Sequence, residues 1–584
     1  MHAHDNHVLI RDCAADCWLH FDRPVEVVQA HAVAEVLSCL RYVEEAVDRR
    51  GLYAAGMVAY EAAPAFDPAL QVRPDDSDLP ILWFGLYHGP QQATGFPPSE
   101  STWLKVPWLA TVSPEAYRSA FEQIKEHIKS GDTYQVNYTY RLRGPSSTAT
   151  IHDFLGLLQG KSAPFGAAIT TKSFSILSAS PELFFSLDGE MIESRPMKGT
   201  IARGLTQEED WRQGQALQNS EKDRAENLMI VDMVRNDLGR IAETGSVHVP
   251  RLFTLEKYPT LWQMTSSVRG RTRASVTDIF AAMFPAASIT GAPKNQAMQI
   301  IANLETSPRR IYTGSIGFIA PGRRAQFNVA IRSMLFSGQE NAVEYGTGGG
   351  IVWDSQWQNE LAESRTKAAV LRARPVGFSL LESILWTPEE RYRLLEHHLK
   401  RMAQSAAYFD YSMAEDDLRR HLADLSRRLQ PFPHKVRLLL EQDGTFTSQV
   451  EPLIQSGDTS PKEAAVAPFP VDKSDPFLYH KTTCRDVYRR CLAACSGYDD
   501  VIMYNGDGEV TESTIANVVV DLHGVLCTPP VQCGLLPGTF RQSLLEMKRI
   551  EERIITLDQL HGHDVYLINS VRGMYRVKVA PPIS

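Results

Sequence analysis

The sequence predicts a protein of mixed α and β structure that contains at least two domains. A chain of 584 residues is too long for one hydrophobic core, because single cores stop growing at about 250–300 residues. Apolar residues make up 43% and charged residues 22% of the chain, which is ordinary for globular domains. Segments with helical apolar spacing alternate with segments built like strands. These observations together favour consecutive α/β or α+β domains.

Three segments of the first part of the chain have helical spacing of apolar residues. Residues 113–131 begin with a Ser-Pro pair, which is typical of a helix cap and first turn. Residues 222–241 and 355–371 predict two further helices. The apolar stripe of the second helix consists of Leu228, Val231, Val234, Leu238 and Ile241. Before these helices, residues 64–107 are rich in Pro, Asp and Gly and predict an irregular segment, interrupted by a strand-like run at 81–86.

A domain boundary is predicted where the third helix ends. Pro375 and Gly377 stop the helix, and a new strand begins at Phe378. We therefore expect a first domain at 1–374, with its core at about 110–372, and a second domain at 377–584.

Charge and cysteine usage exclude several classes of protein. A net charge of −9 argues against a nucleic-acid-binding protein, which normally carries a basic face. Apolar runs of 18 residues are absent from the sequence, so no membrane span is expected. The beginning of the chain lacks the layout of a signal peptide. The cysteine pairs Cys13/Cys17 and Cys491/Cys495 do not have the spacing of zinc ligands, and a reducing cytoplasm is expected.

The turn at residues 195–204 contains the most informative side chain, Lys198. It reads Arg-Pro-Met-Lys-Gly-Thr-Ile-Ala-Arg-Gly, so Arg195 and Arg203 flank the lysine. Cationic neighbours and partial burial lower the pKa of a lysine, and a neutral lysine is a nucleophile. A solvated basic loop is the alternative interpretation of this segment taken alone.

Two acidic pairs lie at helical i,i+3 spacing, so that each pair shares one helix face. The pairs are Asp223 with Glu226 and Glu360 with Glu363. Carboxylates from two helices suit magnesium, which prefers oxygen ligands and often shares them with an anionic substrate. Solvated helix faces are the alternative for either pair alone.

Two small-residue segments predict backbone binding of an anion. The run at 289–294 contains Thr290, Gly291 and Ala292 before a proline at a helix start, where free N–H groups can bind a carboxylate. The run at 346–350 contains Gly348 and Gly349, which permit close approach of the backbone. A β-bulge is the alternative for the second run.

These motifs resemble those of chorismate-utilising enzymes, and most of all component I of aminodeoxychorismate synthases. The resemblance is carried by several ordered runs, namely Ser180-Pro181-Glu182, Pro196–Thr200, Asp223–Asn227, Ile289–Lys294, Ala330–Arg332 and Gly348–Val352. It implies a fold of two stacked antiparallel sheets with outer helices. It also implies chorismate and ammonia as substrates, with magnesium bound by Glu226 and Glu363, and with Asp223 and Glu360 as further candidate ligands.

The same resemblance assigns roles to three residues. Arg332 would bind a chorismate carboxylate, and Glu182 would act as general acid and base at the leaving hydroxyl. Lys198 would attack carbon 2, so that ammonia adds at carbon 4, whereas anthranilate synthases carry alanine there. The chain departs from the family pattern at Gln263, where relatives often have histidine, and at Ala286-Ala287, where they commonly have two glycines.

The second half carries its own set of motifs. Leu394, Leu395, Leu399 and Met402 predict an amphipathic helix with Arg401 at its end. The run 501–511 contains Asn-Gly-Asp-Gly between two strand-like segments and predicts a hairpin, followed by Glu512. Lys481 lies in an extended segment, and Thr539 follows a glycine at a predicted helix start.

This combination resembles the fold-type IV pyridoxal-phosphate enzymes, and among them aminodeoxychorismate lyase. By that resemblance Lys481 would bind pyridoxal 5'-phosphate covalently, Arg401 and Thr539 would hold its phosphate, and Glu512 would pair with its ring nitrogen. Branched-chain and D-amino-acid aminotransferases share these anchors, so they remain alternatives.

The expected function is therefore bifunctional synthesis of 4-aminobenzoate, a folate precursor. The alternatives are a chorismate aminase fused to an aminotransferase, an aminase like anthranilate synthase, and a non-catalytic scaffold. A glutaminase is not evident in the sequence, so a separate glutamine amidotransferase subunit is expected to supply ammonia. A homodimer through the second domain is expected by analogy alone.

Overall fold

The computed structural model describes residues 6–93, 106–145, 155–158, 163–337, 342–372, 377–453 and 462–580. The chain divides into two compact units. The first unit comprises Met1–Arg203 and Gln213–Val376, and the second comprises Gly204–Arg212 and Gly377–Ser584. Most of the predicted linker lies outside the described residues.

The first unit contains two ten-stranded sheets in which every pairing of neighbouring strands is antiparallel. In spatial order the first sheet consists of Gly291–Ala292, Gln135–Pro145, Ala342–Ile351, Ser333–Ser337, Phe174–Ser178, Ala167–Thr170, His7–Asp12, Cys17–Phe21 and Gln91–Ala93, with Leu109–Ala110 beside Gln135–Pro145. The second sheet consists of Met197–Ala202, Leu261–Arg271, Met191–Arg195, Leu183–Asp188, Arg324–Val329, Ser315–Ala320, Tyr53–Val58, Leu82–Tyr87 and Glu26–Ala30, with His248–Lys257 beside Leu261–Arg271.

The two sheets pack face to face. One buried apolar cluster combines Val8 and Phe21 of the first sheet with Met57 and Phe318 of the second. Alternation along a strand sends successive side chains to opposite faces, so the neighbouring residues of these strands point outward. The predicted stack of two antiparallel sheets is confirmed.

Helices cover the outer face of each sheet. Val33–Arg50, Glu221–Gly239 and Val276–Met283 contribute to the apolar cluster on the second sheet. Pro114–Lys129, Lys294–Leu304 and Trp357–Ala368 contribute to a cluster on the first sheet. The remaining helical segments before residue 373 are Tyr60–Ala62, Ala63–Phe66, Leu155–Leu158, Gln207–Asn219, Ala287–Ile289 and Ala369–Arg372.

The three helices predicted from apolar spacing are present. Ser113 caps the first by accepting a hydrogen bond from the N–H of Ala116, and Ser220 caps Glu221–Gly239 in the same way. The predicted apolar stripe is wrong at Leu228, whose side chain is 45% exposed. The reason is that this face turns away from the sheet, which only the packing of the helix decides.

The strand-like run predicted at 81–86 within the irregular stretch forms the strand Leu82–Tyr87, the second strand from one edge of the second sheet. Leu82–Tyr87 pairs with Tyr53–Val58 on one side and with Glu26–Ala30 on the other. All six of its residues are buried. Residues 94–105 of the same stretch lie outside the described residues.

The second unit contains a four-stranded and an eight-stranded sheet. The smaller sheet has the order Arg391–Tyr392, Leu380–Thr387, His434–Leu440 and Phe446–Pro452. The larger has the order Val510–Ser513, Asp500–Tyr504, Lys462–Val466, Gly573–Val579, Val565–Asn569, Asn517–Leu522, Val525–Thr528 and Glu551–Glu552. Val510–Ser513 pairs with Asp500–Tyr504 as the predicted hairpin, and also pairs with Asn517–Leu522.

The helical segments of the second unit after residue 376 are Leu395–Phe409, Glu415–Ser426, Pro476–Leu478, Asp486–Ala494, Val531–Cys533, Thr539–Glu546 and Leu557–Leu560. Arg401 lies in the middle of the first of these helices, and not at its end as predicted. The helix continues to Phe409 because Ala406 and Tyr408 extend its buried face. None of the helices in the described part of the chain is both long and apolar enough to cross a membrane.

Candidate active sites

The first cavity lies in the first unit and collects most of the predicted site residues of that unit. Its lining includes Lys198, Glu182 and Arg332, the glycine Gly348, and all four predicted acidic residues, Asp223, Glu226, Glu360 and Glu363. Lys198 and Gly348 come from strands of the two sheets, the four acidic residues come from two helices, and Glu182 and Arg332 each lie immediately before a strand. Motifs separated by up to 181 positions in the sequence therefore meet in one place.

Four other predicted substrate-binding residues are not among the described residues that line the first cavity: Thr290, Gly291, Ala292 and Gly349. Gly291–Ala292 forms a short strand against Gln135–Pro145. The N–H of Asn137 donates to the carbonyl of Thr290, and that of Tyr134 donates to the carbonyl of Ala292. This run therefore serves as a strand beside the cavity, and its neighbours Ser288 and Ile289 line it instead.

Lys198 lies on the strand Met197–Ala202, which several side chains fix in place. The amide of Gln263 donates to the carbonyl of Gly199 at 3.0 Å, and the hydroxyl of Thr200 donates to the oxygen of Gln263 at 3.2 Å. The side-chain amide of Asn227 donates to the carbonyl of Lys198 at 3.4 Å. Gln263 thus holds the two residues that follow the lysine, and Asn227 holds the carbonyl of the lysine itself.

Removal from water lowers the pKa of Lys198. The carboxylates of Glu226, Glu363 and Glu182 oppose that change, and the ammonium of Lys367 reinforces it. The sequence argument that Arg195 and Arg203 lower this pKa is wrong. Arg195 pairs with Glu256, and Arg203 donates to the carbonyl of Tyr258, so both guanidinium groups are engaged elsewhere.

Glu182 is a buried carboxyl with the properties of a general acid. Burial raises the pKa of Glu182 to about 7, although the hydroxyl of Ser288 and the ammonium of Lys198 act in the opposite direction. The hydroxyl of Ser288 donates to Oε1 of Glu182 at 2.5 Å. A carboxyl that titrates near neutrality can both give and take a proton.

The acidic residues of the two helices are accompanied by lysines that the sequence analysis did not single out. Lys367 lies 2.8 Å from Glu363 and donates to the carbonyl of Gly348 at 3.2 Å. Lys222 lies 3.8 Å from Glu226 and 4.0 Å from Glu360. The sequence contained a signal for both lysines, since each lies four residues from a predicted acidic residue on the same helix. The pairs are Glu363 with Lys367 and Lys222 with Glu226, at the i,i+4 spacing of helical ion pairs.

Burial raises the pKa of Glu226 and of Glu360. Burial acts on Glu363 in the same direction, but the adjacent Lys367 outweighs it and lowers the pKa of Glu363. In the described part of the chain, no three His, Cys, Asp or Glu side chains are arranged to hold a metal ion. The donor set still fits magnesium, because Mg²⁺ is often held by one or two carboxylates together with water and substrate oxygens.

Arg332 provides a cation at another wall of the first cavity. Its guanidinium lies 4.9 Å from the ring centroid of Tyr258. Its φ of 51° belongs to the left-handed region that non-glycine residues rarely adopt. Such a backbone is sparsely populated unless the surroundings enforce it, and it commonly occurs at ligand sites.

The second cavity lies in the second unit, has a volume of about 410 Å³, and contains all four predicted cofactor residues: Lys481, Arg401, Glu512 and Thr539. Its volume is in the range of small-molecule sites. Removal from water, with Arg401 and Arg485 nearby, lowers the pKa of Lys481 to about 7. A lysine that is partly neutral at neutral pH is able to act as a nucleophile and as a base.

Glu512 is a buried carboxyl at the wall of the second cavity. Burial raises the pKa of Glu512 to about 7. The hydroxyl of Tyr488 donates to Oε1 at 2.8 Å, and the N–H of Leu536 donates to the same atom at 3.1 Å. Asn517 approaches Oε2 at 3.4 Å, so this oxygen is the less engaged of the two.

Arg401 and the start of the helix Thr539–Glu546 lie together at the wall of the second cavity. Arg401 donates to Glu382 through Nε at 2.9 Å and through Nη2 at 2.6 Å. Gly538 is the N-cap of the helix, and a Cβ there would lie 1.9 Å from Oδ1 of Asn517. The backbone N–H groups of such a helix start bind phosphate readily.

These residues fit pyridoxal 5'-phosphate. The helix start and Arg401 suit a phosphate, Glu512 suits a ring nitrogen, and Lys481 suits the aldehyde carbon. Sequence reasoning missed Tyr488, which lines the cavity and donates to Glu512. It also missed Glu382 and His398, which contact Arg401 and Thr539 from behind. A detectable signal was the His-x-x-Arg spacing at His398 and Arg401 on one helix.

Two family models match this chain. Residues 5–373 match the family described as chorismate binding enzyme, and residues 379–580 match the family described as amino-transferase class IV. The chain therefore belongs to the chorismate binding enzymes and carries a class IV amino-transferase domain after that part. Both resemblances expected from the sequence are confirmed.

Among curated relatives, aminodeoxychorismate synthase component 1 of Escherichia coli (strain K12) is 36% identical over 341 residues, which is 54% of this chain and 75% of that protein. Anthranilate synthase component 1 1 of Haloarcula marismortui is 38% identical over 259 residues, which is 44% of this chain and 53% of that protein. The crystal structure of anthranilate synthase component I from Streptococcus pneumoniae has a TM-score of 0.53 at 22% identity, covering 64% of this chain and 94% of that chain. The last similarity shows a shared fold.

Proposed function

We propose that this chain makes 4-aminobenzoate from chorismate in two steps, one in each unit. The first step aminates chorismate at carbon 4 with ammonia and gives 4-amino-4-deoxychorismate. The second step eliminates pyruvate from that product. The observation that carries the proposal is Lys198 in the first cavity together with Glu182 and Glu226. The E. coli relative named aminodeoxychorismate synthase component 1 supports it.

In the first step Lys198 is the nucleophile and Glu182 moves the protons. The neutral amine of Lys198 adds to carbon 2, the ring double bonds shift, and the bond from carbon 4 to its hydroxyl breaks as Glu182 protonates the leaving oxygen. Ammonia then adds at carbon 4, the bond from carbon 2 to Lys198 breaks, and the ammonium proton passes to Glu182. Arg332 binds a substrate carboxylate.

Glu226 and Glu363 are the proposed magnesium ligands. Bound magnesium supplies positive charge that orients the anionic substrate and stabilises charge developing in the reaction. Lys222 and Lys367 lie beside these carboxylates and keep the region close to neutral before the cation and substrate bind.

In the second step Lys481 would hold the cofactor, and its amine, once released, would remove the proton from carbon 4 of the aminated ring and pass a proton to the enolpyruvyl group as the bond from carbon 3 to its oxygen breaks. Bound pyridoxal 5'-phosphate supplies an electron sink. Arg401 and Thr539 would hold its phosphate, and Glu512 would pair with its ring nitrogen. Because Lys481 has a pKa of about 7, it can accept that proton near neutral pH.

Ammonia is proposed to come from a separate glutamine amidotransferase. The designation component 1 of the E. coli relative supports a second component. Cytoplasmic localisation is also proposed, on the cysteine spacing in the sequence.

The test is a product assay with the purified full chain, chorismate, ammonium, magnesium and pyridoxal 5'-phosphate. We expect 4-aminobenzoate and pyruvate in equal amounts. Anthranilate as the product would contradict the assignment of the first step. Accumulation of 4-amino-4-deoxychorismate without pyruvate would contradict the second step and favour an aminotransferase.

A further inference from the structure

A buried chain of hydrogen bonds lies behind the proposed phosphate end of the second cavity. Nδ1 of His398 lies 2.6 Å from Oε2 of Glu382, and Nε2 of His398 lies 3.3 Å from the hydroxyl of Thr539. Glu382 is 1% exposed and His398 is fully buried. Of the three, only Thr539 lines the second cavity.

The proton positions in this chain follow from the chemistry of its members. Arg401 donates two hydrogen bonds to Glu382, and together with His398 it lowers the pKa of Glu382 to about 2 against the effect of burial. Glu382 is therefore a carboxylate and only accepts hydrogen bonds. It follows that Nδ1 of His398 carries a hydrogen and donates to Glu382.

The charge on His398 depends on the groups that face it. Burial lowers the pKa of His398, and so do Arg401 on its own helix and Lys481 on the neighbouring segment. Glu382, on the strand Leu380–Thr387, acts in the opposite direction but does not outweigh them. His398 is consequently neutral without ligand, and its bare Nε2 accepts the single hydroxyl hydrogen of Thr539.

Binding of a phosphate changes this arrangement. A phosphate beside Thr539 is an acceptor, so the hydroxyl of Thr539 must turn its hydrogen towards the cavity. Nε2 of His398 would then be a buried acceptor without a donor, which is unfavourable. A proton on Nε2 removes this problem, because the imidazolium donates to the Thr539 oxygen, and the negative phosphate stabilises its charge.

We propose that His398 is a positioning residue that takes up one proton when a phosphate-bearing ligand binds at Thr539 and Arg401. Nε2 of His398 then donates to the hydroxyl oxygen of Thr539, whose hydrogen points towards the phosphate, while Nδ1 continues to donate to Glu382. This inference rests on the cofactor site proposed above, and it adds that phosphate binding is coupled to protonation of one buried imidazole. Affinity for the phosphate consequently decreases as pH rises.

The test is calorimetric titration of the full chain with pyridoxine 5'-phosphate, which lacks the aldehyde and so forms no bond with Lys481. Titrations at pH 8 in two buffers of different ionisation enthalpy give the number of protons taken up. We expect wild type to take up about one proton more per site than His398→Gln, which keeps a polar side chain but does not titrate. Pyridoxine without the phosphate is the matched ligand and should show no such difference.

Thr539→Val is the second variant, because it removes the hydroxyl while His398 remains. We expect its proton uptake to match that of His398→Gln. Between pH 7 and pH 8 the Kd of wild type should rise by up to about tenfold, the limit for one linked proton, and that of His398→Gln should rise less. Thermal unfolding of the three proteins checks that each is folded.

Equal proton uptake by wild type and His398→Gln would overturn the proposal, since the proton would then be on the phosphate itself. Absence of pyridoxine 5'-phosphate binding to folded wild type would overturn both the proposed cofactor site and this inference. Binding with proton uptake that does not depend on His398 would leave the cofactor site intact and remove only the inference.

Discussion

Individual carboxyl and amine groups in both cavities are held at pKa values close to neutrality. Burial raises the pKa of Glu182 and of Glu512 to about 7, and removal from water lowers that of Lys481 to about 7. Groups that titrate near the working pH are efficient proton carriers. Strongly perturbed groups that line a cavity are typical of functional sites, and Glu182 lines the first cavity while Lys481 and Glu512 line the second.

Replacing Glu182 by Gln tests the proposed general acid. The amide is similar in shape but cannot protonate the leaving hydroxyl, so chorismate consumption should fall by about 10²–10⁴-fold. The measurement is the initial rate of ammonia-dependent chorismate loss. Formation of 4-aminobenzoate from added 4-amino-4-deoxychorismate is the control and should be unchanged. A loss below about threefold would rule out this role.

Replacing Ser288 by Ala should move the pH profile of the first step. The Ser288 hydroxyl stabilises the ionised form of Glu182, so its removal raises the pKa of Glu182 further. The protonated form is the active acid, and it would persist to higher pH. The alkaline limb of kcat/KM for chorismate should therefore shift to higher pH. An unshifted or acid-shifted limb would contradict the assignment.

At the scale of elements, the strand Ala342–Ile351 places glycines where other elements approach closely. A Cβ on Gly350 would lie 2.7 Å from Nζ of Lys198 and 3.0 Å from Nε2 of Gln135. A Cβ on Gly349 would meet nothing closer than the 3.5 Å of Glu360 Oε2. The missing side chain of Gly350 thus leaves space for the Lys198 amine, whereas that of Gly349 does not, because successive residues of a strand face opposite sides of the sheet.

Gly350→Ala and Gly349→Ala form a matched pair of variants. The methyl group at position 350 must displace Nζ of Lys198, and because Nζ is the end of a flexible side chain, the methyl group moves the nucleophile rather than the fold. We expect the first step to slow by about tenfold or more in Gly350→Ala and to slow less in Gly349→Ala. The rate of chorismate loss and the melting temperature of each variant would be measured. Equal rates in the two variants would show that the space around the Lys198 amine does not limit the first step.

At the scale of the whole molecule, each unit has its own core and its own cavity. Among the described residues, those that line the first cavity belong to the first unit, and those that line the second cavity belong to the second unit. The two proposed steps should therefore be separable by single substitutions.

Lys198→Ala and Lys481→Ala test this separation. Lys198→Ala should abolish or divert amination at carbon 4 while pyridoxal-phosphate absorbance remains, because the second cavity is intact. Lys481→Ala should stop release of 4-aminobenzoate while chorismate loss continues. Product analysis by chromatography measures the first reaction with chorismate and the second with added 4-amino-4-deoxychorismate. Loss of both activities in either variant would contradict independent units.

The sequence alone determined several local structural features and the membership of both families. Short-range rules identified the helix capped at Ser113, the hairpin before Glu512, and the acidic pairs at Glu226 and Glu363, because caps, turns and i,i+3 faces depend on neighbouring residues. The ordered motifs identified both families. These features can be predicted without knowledge of the tertiary packing.

The tertiary structure decided the surroundings of those residues. It showed that Lys367, and not Arg195 or Arg203, is the cation that lowers the pKa of Lys198, and that Leu228 faces solvent. It also brought Glu382 and His398 behind Arg401 and Thr539. Desolvation and charge proximity arise from residues that are distant in the chain, so only the folded arrangement determines which groups share a low-dielectric site.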